Sequence, residues 1–169
     1  LQFILIAAVR RLFPAARVQV RYSLGPGLYI TIGKEPALSE ADVLRLESEM
    51  RRIIRAAQPL ERKRLSIDEA IEFFEKDGQL DKARLLKWRK FSYFDVYRLG
   101  DYMDYFYGEM APGTEYADVF RLKFVDGALI MLMPRKDEPD VPSDYADMTK
   151  LASVFRQSDN WGKLMHCDT

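Results

Sequence analysis

Asp126-Gly127 stands between two strand-like runs, residues 119–124 and 128–133. That arrangement commits this part of the chain to an antiparallel hairpin. Asp-Gly fills the two left-handed positions of a two-residue turn at low cost, and Val119-Phe120-Arg121-Leu122-Lys123-Phe124 shows the alternation of a half-buried strand. A second pair of runs, Val18-Gln19-Val20-Arg21-Tyr22 and Leu28-Tyr29-Ile30-Thr31-Ile32, is joined through Leu24-Gly25-Pro26-Gly27. Two hairpins predict an antiparallel sheet.

Helical patterns surround the hairpins. Phe3, Ile6, Val9 and Phe13 recur near helical spacing and stop at Pro14. Ser39-Glu40-Ala41-Asp42 has the form of a capping box, followed by Val43, Leu46, Met50, Ile53 and Ala57 and closed by Pro59. Arg45, Arg51, Arg52 and Arg55 fall between those apolar positions, either as a solvated face balanced by Glu47 and Glu49 or as a polyanion contact. A second capping box, Ser66-Ile67-Asp68-Glu69, opens a helix carrying Ala70, Ile71, Phe73 and Phe74, and Asp77-Gly78 closes it. Residues 80–90 read as a short basic helix, 93–97 as a strand, 100–116 as a loop with some strand character and 134–142 as an acidic linker. Ser143 is positioned to cap a last helix through Met148, Leu151, Ala152 and Phe155. The sum is an α+β fold, an antiparallel sheet of hairpins packed with helices.

The 169 residues are 48% hydrophobic, enough for a core and too many for disorder. With 26 basic and 26 acidic residues, net charge points to neither nucleic acid nor membrane. One His and one Cys, His166 and Cys167, exclude a conventional His/Cys zinc site and an internal disulfide, which suits a cytoplasmic protein. The apolar opening, residues 1–9, is too short for a bilayer, which takes about 20 residues, and lacks the marks of a signal peptide. With no initiating Met, the chain reads as a piece of something longer.

Residues 100–116 carry the most distinctive chemistry. Leu12-Phe13-Pro14, the glycine hairpin, the helix from Ser39, and Tyr97-Arg98 with Gly100-Asp101, Asp104, Gly108 and Pro112 occur in one order and spacing. Over about residues 1–125 the chain thereby resembles the editing, or second additional, domain of threonyl- and alanyl-tRNA synthetases. That family uses a His-x-x-x-His pair in the first helix and a Cys-x-x-x-His pair in the loop. Imidazoles suit the task because they accept and return a proton near neutral pH. The resemblance places the second His at Phe3, the Cys at Phe106 and its His at Met110, and the first His before Leu1. All three observable positions are apolar, so the resemblance implies the fold without editing hydrolysis.

Tyr22-Ser23-Leu24-Gly25-Pro26-Gly27-Leu28-Tyr29, Asp104-Tyr105-Phe106-Tyr107-Gly108, Leu132-Met133-Pro134 and residues 150–155 followed by Trp161-Gly162 also resemble a bacterial uridine (nucleoside) kinase-related family. Its members place a synthetase-like domain between a ubiquitin-like module and a P-loop kinase. Tyr22 stands where that family often has His. The resemblance implies residues 1–134 as the editing-like domain and 135–169 as linker and helix toward a kinase domain, the domain's own partner. It also implies a nucleoside kinase as the parent protein, with ATP and magnesium used only in that missing domain. No Gly-x-x-x-x-Gly-Lys-Ser/Thr run occurs in this chain, so no cofactor and no catalytic residue are expected in it.

Eight of the chain's 21 aromatic residues fall between Phe91 and Tyr107: Phe91, Tyr93, Phe94, Tyr97, Tyr102, Tyr105, Phe106 and Tyr107. They fill a core, form a base-stacking platform or meet a partner. Lys82, Arg84, Lys87, Arg89, Lys90 and Arg98 flank them; Lys87, Arg89, Lys90 and Arg98 are the candidate polyanion contacts. The expected ligand cleft comprises Phe3, Tyr22, Ser23, Tyr29, Asp104, Phe106, Tyr107 and Met110, with no metal. Asp101, Asp104, Glu109 and Glu115 make the loop acidic. That suits a nucleoside, whose ribose hydroxyls a carboxylate accepts, better than RNA phosphate. The functions left open are non-catalytic ligand sensing or docking, RNA binding, and a nucleoside-binding pocket.

Overall fold

The computed structural model describes residues 1–106 and 108–145, together with 154, 157, 158, 161, 164 and 165. The chain divides into two compact units, residues 1–52 with 117–169, and residues 53–116. The fold is α+β with antiparallel sheets.

The first unit holds a four-stranded antiparallel sheet. Its strands are β1 (Arg17–Leu24), β2 (Gly27–Gly33), β6 (Arg121–Val125) and β7 (Ala128–Leu132), in the order β1-β2-β7-β6. Both expected hairpins form. Asp126 and Gly127 take φ of 50° and 80°, the left-handed pair that makes Asp-Gly the suitable turn. β7 lies between β2 and β6 and is buried along its whole length, which explains its unbroken apolar run Ala-Leu-Ile-Met-Leu. Helix α1 (Gln2–Leu12) buries Phe3, Ile4, Leu5, Ala7, Ala8 and Val9. Helix α2 (Glu40–Arg55) begins in this unit and buries Val43, Leu46 and Met50. The Ser39 box forms: Ser39 Oγ accepts from the Asp42 amide at 3.2 Å, and Asp42 accepts from the Ser39 amide at 3.1 Å. Of the α2 arginines, Arg51 pairs with Glu47 and Arg52 with Glu49 along the helix, each at 2.7 Å.

Strand β6 is an edge, and α2 covers it chemically. Glu47 accepts the outward N–H of Leu122 at 2.9 Å. Arg51 donates to the Phe120 carbonyl at 3.1 Å and lies 4.6 Å from the centre of the Phe120 ring. Unpaired edge groups invite foreign strands; Glu47 occupies one amide and Arg51 one carbonyl.

The second unit holds a three-stranded antiparallel sheet, β3 (Glu61–Ser66), β4 (Tyr93–Leu99) and β5 (Tyr102–Asp104), in that order. Helices α3 (Ile67–Lys76) and α4 (Leu80–Leu86) join it. Ala70, Phe74, Ala83, Leu86, Phe94 and Val96 form its core. Ser66 and Glu69 complete the second capping box. Past α3, Gly78 N–H bonds Glu75 O and Gln79 N–H bonds Phe74 O, the paired bonds of a Schellman end.

Two elements differ from the sequence reading. β3 is a strand where none was expected, because Glu-Arg-Lys-Arg shows no apolar alternation. It is exposed along most of its length and held by pairing with β4 and by Arg62 and Arg64 on Asp95. The basic helix ends at Leu86 rather than Lys90. Residues 134–142 form a closed loop: Pro134 bridges to Pro142, and Ser143 donates to the Met133 carbonyl through both Oγ, at 2.7 Å, and N–H. The helix expected after Ser143 lies mostly outside the described residues.

Candidate functional site

The loop following β5 is held at three places. The first is Asp104, which is buried. Its carboxylate accepts from Lys82 Nζ on both oxygens, at 2.5 and 2.6 Å, from the Tyr102 hydroxyl at 2.8 Å and from the Tyr105 amide at 2.8 Å. Its acceptor capacity is thus engaged by internal donors. Lys82 is in turn framed by the rings of Phe74 and Tyr105, at 5.6 and 5.2 Å.

The second place is the buried hydroxyl of Tyr97 on β4. It donates to the Gly108 carbonyl and accepts from the Met110 amide, both at 3.2 Å. Gly108 has φ of 91°, which a side chain would strain. The third is Thr114, fully buried. Its hydroxyl donates to Ile53 O at 3.1 Å and accepts from Gln58 N–H at 3.0 Å, while its amide donates to Gln58 O. Beside it Leu60 N–H donates to Pro112 O, and Pro59 bridges to Gly113.

Between these anchors the loop presents Phe106, which is 40% exposed, and Met110, which is partly buried. Tyr107 lies outside the described residues. Neither Phe106 nor Met110 has a group that ligates zinc well or carries a proton. Among the described residues no cluster of three His, Cys, Asp or Glu side chains is placed to hold a metal. His166 and Cys167 lie outside the described residues.

The remaining candidates belong to the first unit. Phe3 is buried in α1. Tyr22 and Tyr29 face each other across the β1–β2 pair and stack with centroids 4.8 Å apart and planes 6° from parallel. Tyr29 joins Ala128, Ile130 and Leu132 in an apolar cluster, with Tyr22 packed against it. Ser23 is exposed.

The candidate cations divide by their partners. Lys87 pairs with Glu75 at 3.0 Å, and Arg98 pairs across the strands with Glu61 at 2.7 Å. Arg89 stacks over Phe94 and Phe91, at 5.0 and 5.8 Å. Lys90 is exposed and makes no ion pair among the described residues.

The structure also sorts the aromatics. Phe94, Tyr97 and Tyr102 are buried, while Phe91, Tyr93 and Phe106 are exposed. Sequence reasoning passed over Trp88, which is 85% exposed; the only signal was its position among Lys87, Arg89 and Lys90. It placed Tyr97 in the Tyr97-Arg98 motif and among the clustered aromatics, with no role for its hydroxyl. Its role as a loop anchor depends on contacts 11 and 13 residues along the chain.

No protein-family model matches the chain. Over 125 residues it is 35% identical to the threonine–tRNA ligase of Nitratidesulfovibrio vulgaris (strain DP4), which covers 74% of this chain and 19% of that protein. The threonine–tRNA ligase of Carboxydothermus hydrogenoformans is 35% identical over 122 residues, 72% of this chain and 19% of the relative. That of Desulfovibrio desulfuricans is 34% identical over 169 residues, 96% of this chain and 26% of the relative. The chain therefore spans about a fifth to a quarter of the length of these curated relatives. They support the resemblance to a threonyl-tRNA synthetase segment. The kinase resemblance draws no support from them. Among the described residues no helix is long and apolar enough to cross a membrane.

Proposed function

We propose, from the similarity to threonine–tRNA ligases, that this chain is a hydrolytically inert editing-like domain that binds RNA, in a cytoplasmic setting. The observation that carries the proposal is the contrast within one loop. Tyr97, Asp104 and Thr114 fasten it, while the positions where the resemblance expects Cys and His hold Phe106 and Met110. Ester hydrolysis needs a group that takes a proton from water or a metal that does the equivalent, and these side chains supply neither. Phe3, at the place of a further His, has the same defect. What a recognition scaffold retains without its chemistry is binding.

The test has two arms. Purified protein mixed with mischarged threonine-acceptor tRNA is expected to leave the ester decaying at its uncatalysed rate; acceleration would overturn the inert reading. The same tRNA is expected to bind with an affinity that falls steeply as salt rises, because phosphate contacts release counterions. No retention at low salt would end the RNA reading.

A second reading is favoured by the phrases at residues 22–29 and 104–108. In it the domain senses a nucleoside or docks onto its own kinase domain. Residues 135–169 then lead toward that domain, and ATP and magnesium belong there. Titration with uridine, UMP and ATP to millimolar levels, read by intrinsic fluorescence, tests it. An unchanged signal removes the nucleoside pocket.

A further inference from the structure

From Lys82 to Phe94 the chain carries five cations, Lys82, Arg84, Lys87, Arg89 and Lys90, and no carboxylate; Asp81 and Asp95 bound the run. The balanced charge of the whole chain conceals this local excess. Lys82 is committed to Asp104, and Lys87 to Glu75. The others stand around the connection from α4 to β4, residues 87–92, where the side chains are all exposed.

Two large aromatics on that connection are exposed to an extent that neither core packing nor local contacts explain. Trp88 is 85% exposed and Phe91 64%. Leu85, one turn before Trp88, is 70% exposed. Tyr93, at the start of β4, is 46% exposed and has Arg64 over its ring at 4.2 Å. Phe91 lies beside Arg89, whose guanidinium reaches 5.8 Å from its centroid.

Aromatic faces set among cations match one partner chemistry: unpaired bases, which stack on the rings, joined by phosphates, which the cations track. A duplex offers phosphates but keeps its bases stacked inside, so it would leave Trp88 and Phe91 unused. An apolar protein groove would use the rings, but it would gain nothing from Arg84, Arg89 and Lys90.

We propose that the α4–β4 connection is a stacking platform for single-stranded RNA, with Trp88 and Phe91 as the base-stacking side chains and Arg89 and Lys90 as phosphate contacts. The proposal rests on the RNA-binding reading above and assigns that binding to the α4–β4 connection rather than to Phe106 and Met110.

The experiment uses the whole chain and fluorescein-labelled 12-nucleotide oligouridylate and oligoadenylate, with a 12-base-pair RNA duplex as comparison. Anisotropy is expected to show both single strands bound more tightly than the duplex. Trp88→Ala and Phe91→Ala are each expected to weaken single-strand binding by about 5- to 150-fold. Lys90→Gln is expected to lower the slope of log affinity against log salt by about 0.7. A Trp161→Phe protein keeps Trp88 as its one tryptophan, and its emission is expected to quench as oligonucleotide saturates. Because Trp88 and Phe91 are exposed, both alanine proteins are expected to keep the parent circular dichroism spectrum.

If the chain binds tRNA and the Trp88→Ala, Phe91→Ala double variant binds as the parent does, the platform is overturned while the RNA reading stands. Absence of all RNA binding at low salt overturns both. Preference for the duplex with unquenched Trp88 emission overturns the platform.

Discussion

The hydroxyl of Tyr97 accepts the amide proton of Met110 at 3.2 Å, and the same oxygen donates to the carbonyl of Gly108. One buried phenol thus satisfies two backbone groups of the loop that carries Phe106 and Met110. Tyr97→Phe removes that hydroxyl and leaves both groups to find water. The expected cost is about 1 kcal/mol in urea unfolding. Amide exchange is expected to speed at Met110 while Phe74 and Val96, in the core of the same unit, keep their protection. Equal loss of protection at all three would mean that Tyr97 supports the unit as a whole.

Asp104 and Lys82 are expected to respond asymmetrically. Asp104→Asn leaves a partly buried ammonium beside two aromatic rings without its counter-charge, at an expected cost of about 2 kcal/mol, since Lys82 retains some water access. Lys82→Met leaves Asp104 with the Tyr102 hydroxyl and the Tyr105 amide, so its cost is expected to be smaller. Urea midpoints of the two single variants decide the order. A larger loss for Lys82→Met would show that the carboxylate depends chiefly on the ammonium.

Glu47→Ala is expected to uncover the edge of β6. The Leu122 amide and the Arg51 guanidinium each lose a partner, for a combined cost of about 2 kcal/mol. The sharper consequence is association, because the freed edge amide can pair with another chain. Light scattering at high protein concentration is expected to rise for this variant. Parent-like scattering would show that Arg51 and Phe120 suffice to cover the edge.

The Arg64 guanidinium, and after it that of Arg62, holds the Asp95 carboxyl below its ordinary value of 3.8, at about 2. In the unfolded chain Asp95 takes up its proton at higher pH, so stability rises with pH across this interval. Its contribution is present above about pH 4 and is lost as pH falls through about 2. Asp95→Asn is therefore expected to flatten the acid limb of the stability curve between those values relative to the parent. Urea titrations at several pH values measure the difference between the two proteins. Parallel curves would remove Asp95 as the source. Asp42, held low by Lys34 and Ser39, and Glu49, held low by Arg52 and Arg11, act in the same direction and are common to both proteins.

The hairpins, the two capping boxes and the first three helices were legible because their causes are local. Asp126-Gly127 makes its turn through its own φ angles, and Ser66 reaches a partner three residues away. Phe106 and Met110 were singled out only by the resemblance, which expects Cys and His there. β3 was illegible because a charged strand exposed along most of its length has no apolar period, only the partner that β4 provides.

Charge and aromatic content told the amino-acid sequence alone that Phe91 to Tyr107 mattered, since both are additive properties of a segment. Which rings support the fold and which face solvent was decided only by tertiary structure. Tyr97 and Asp104 became anchors when the folded chain brought up partners 11 to 22 residues away, and Thr114 did so across 61. Trp88 keeps its ring in water because no element among the described residues covers it. Burial depends on which distant segments meet, and no local pattern encodes that meeting.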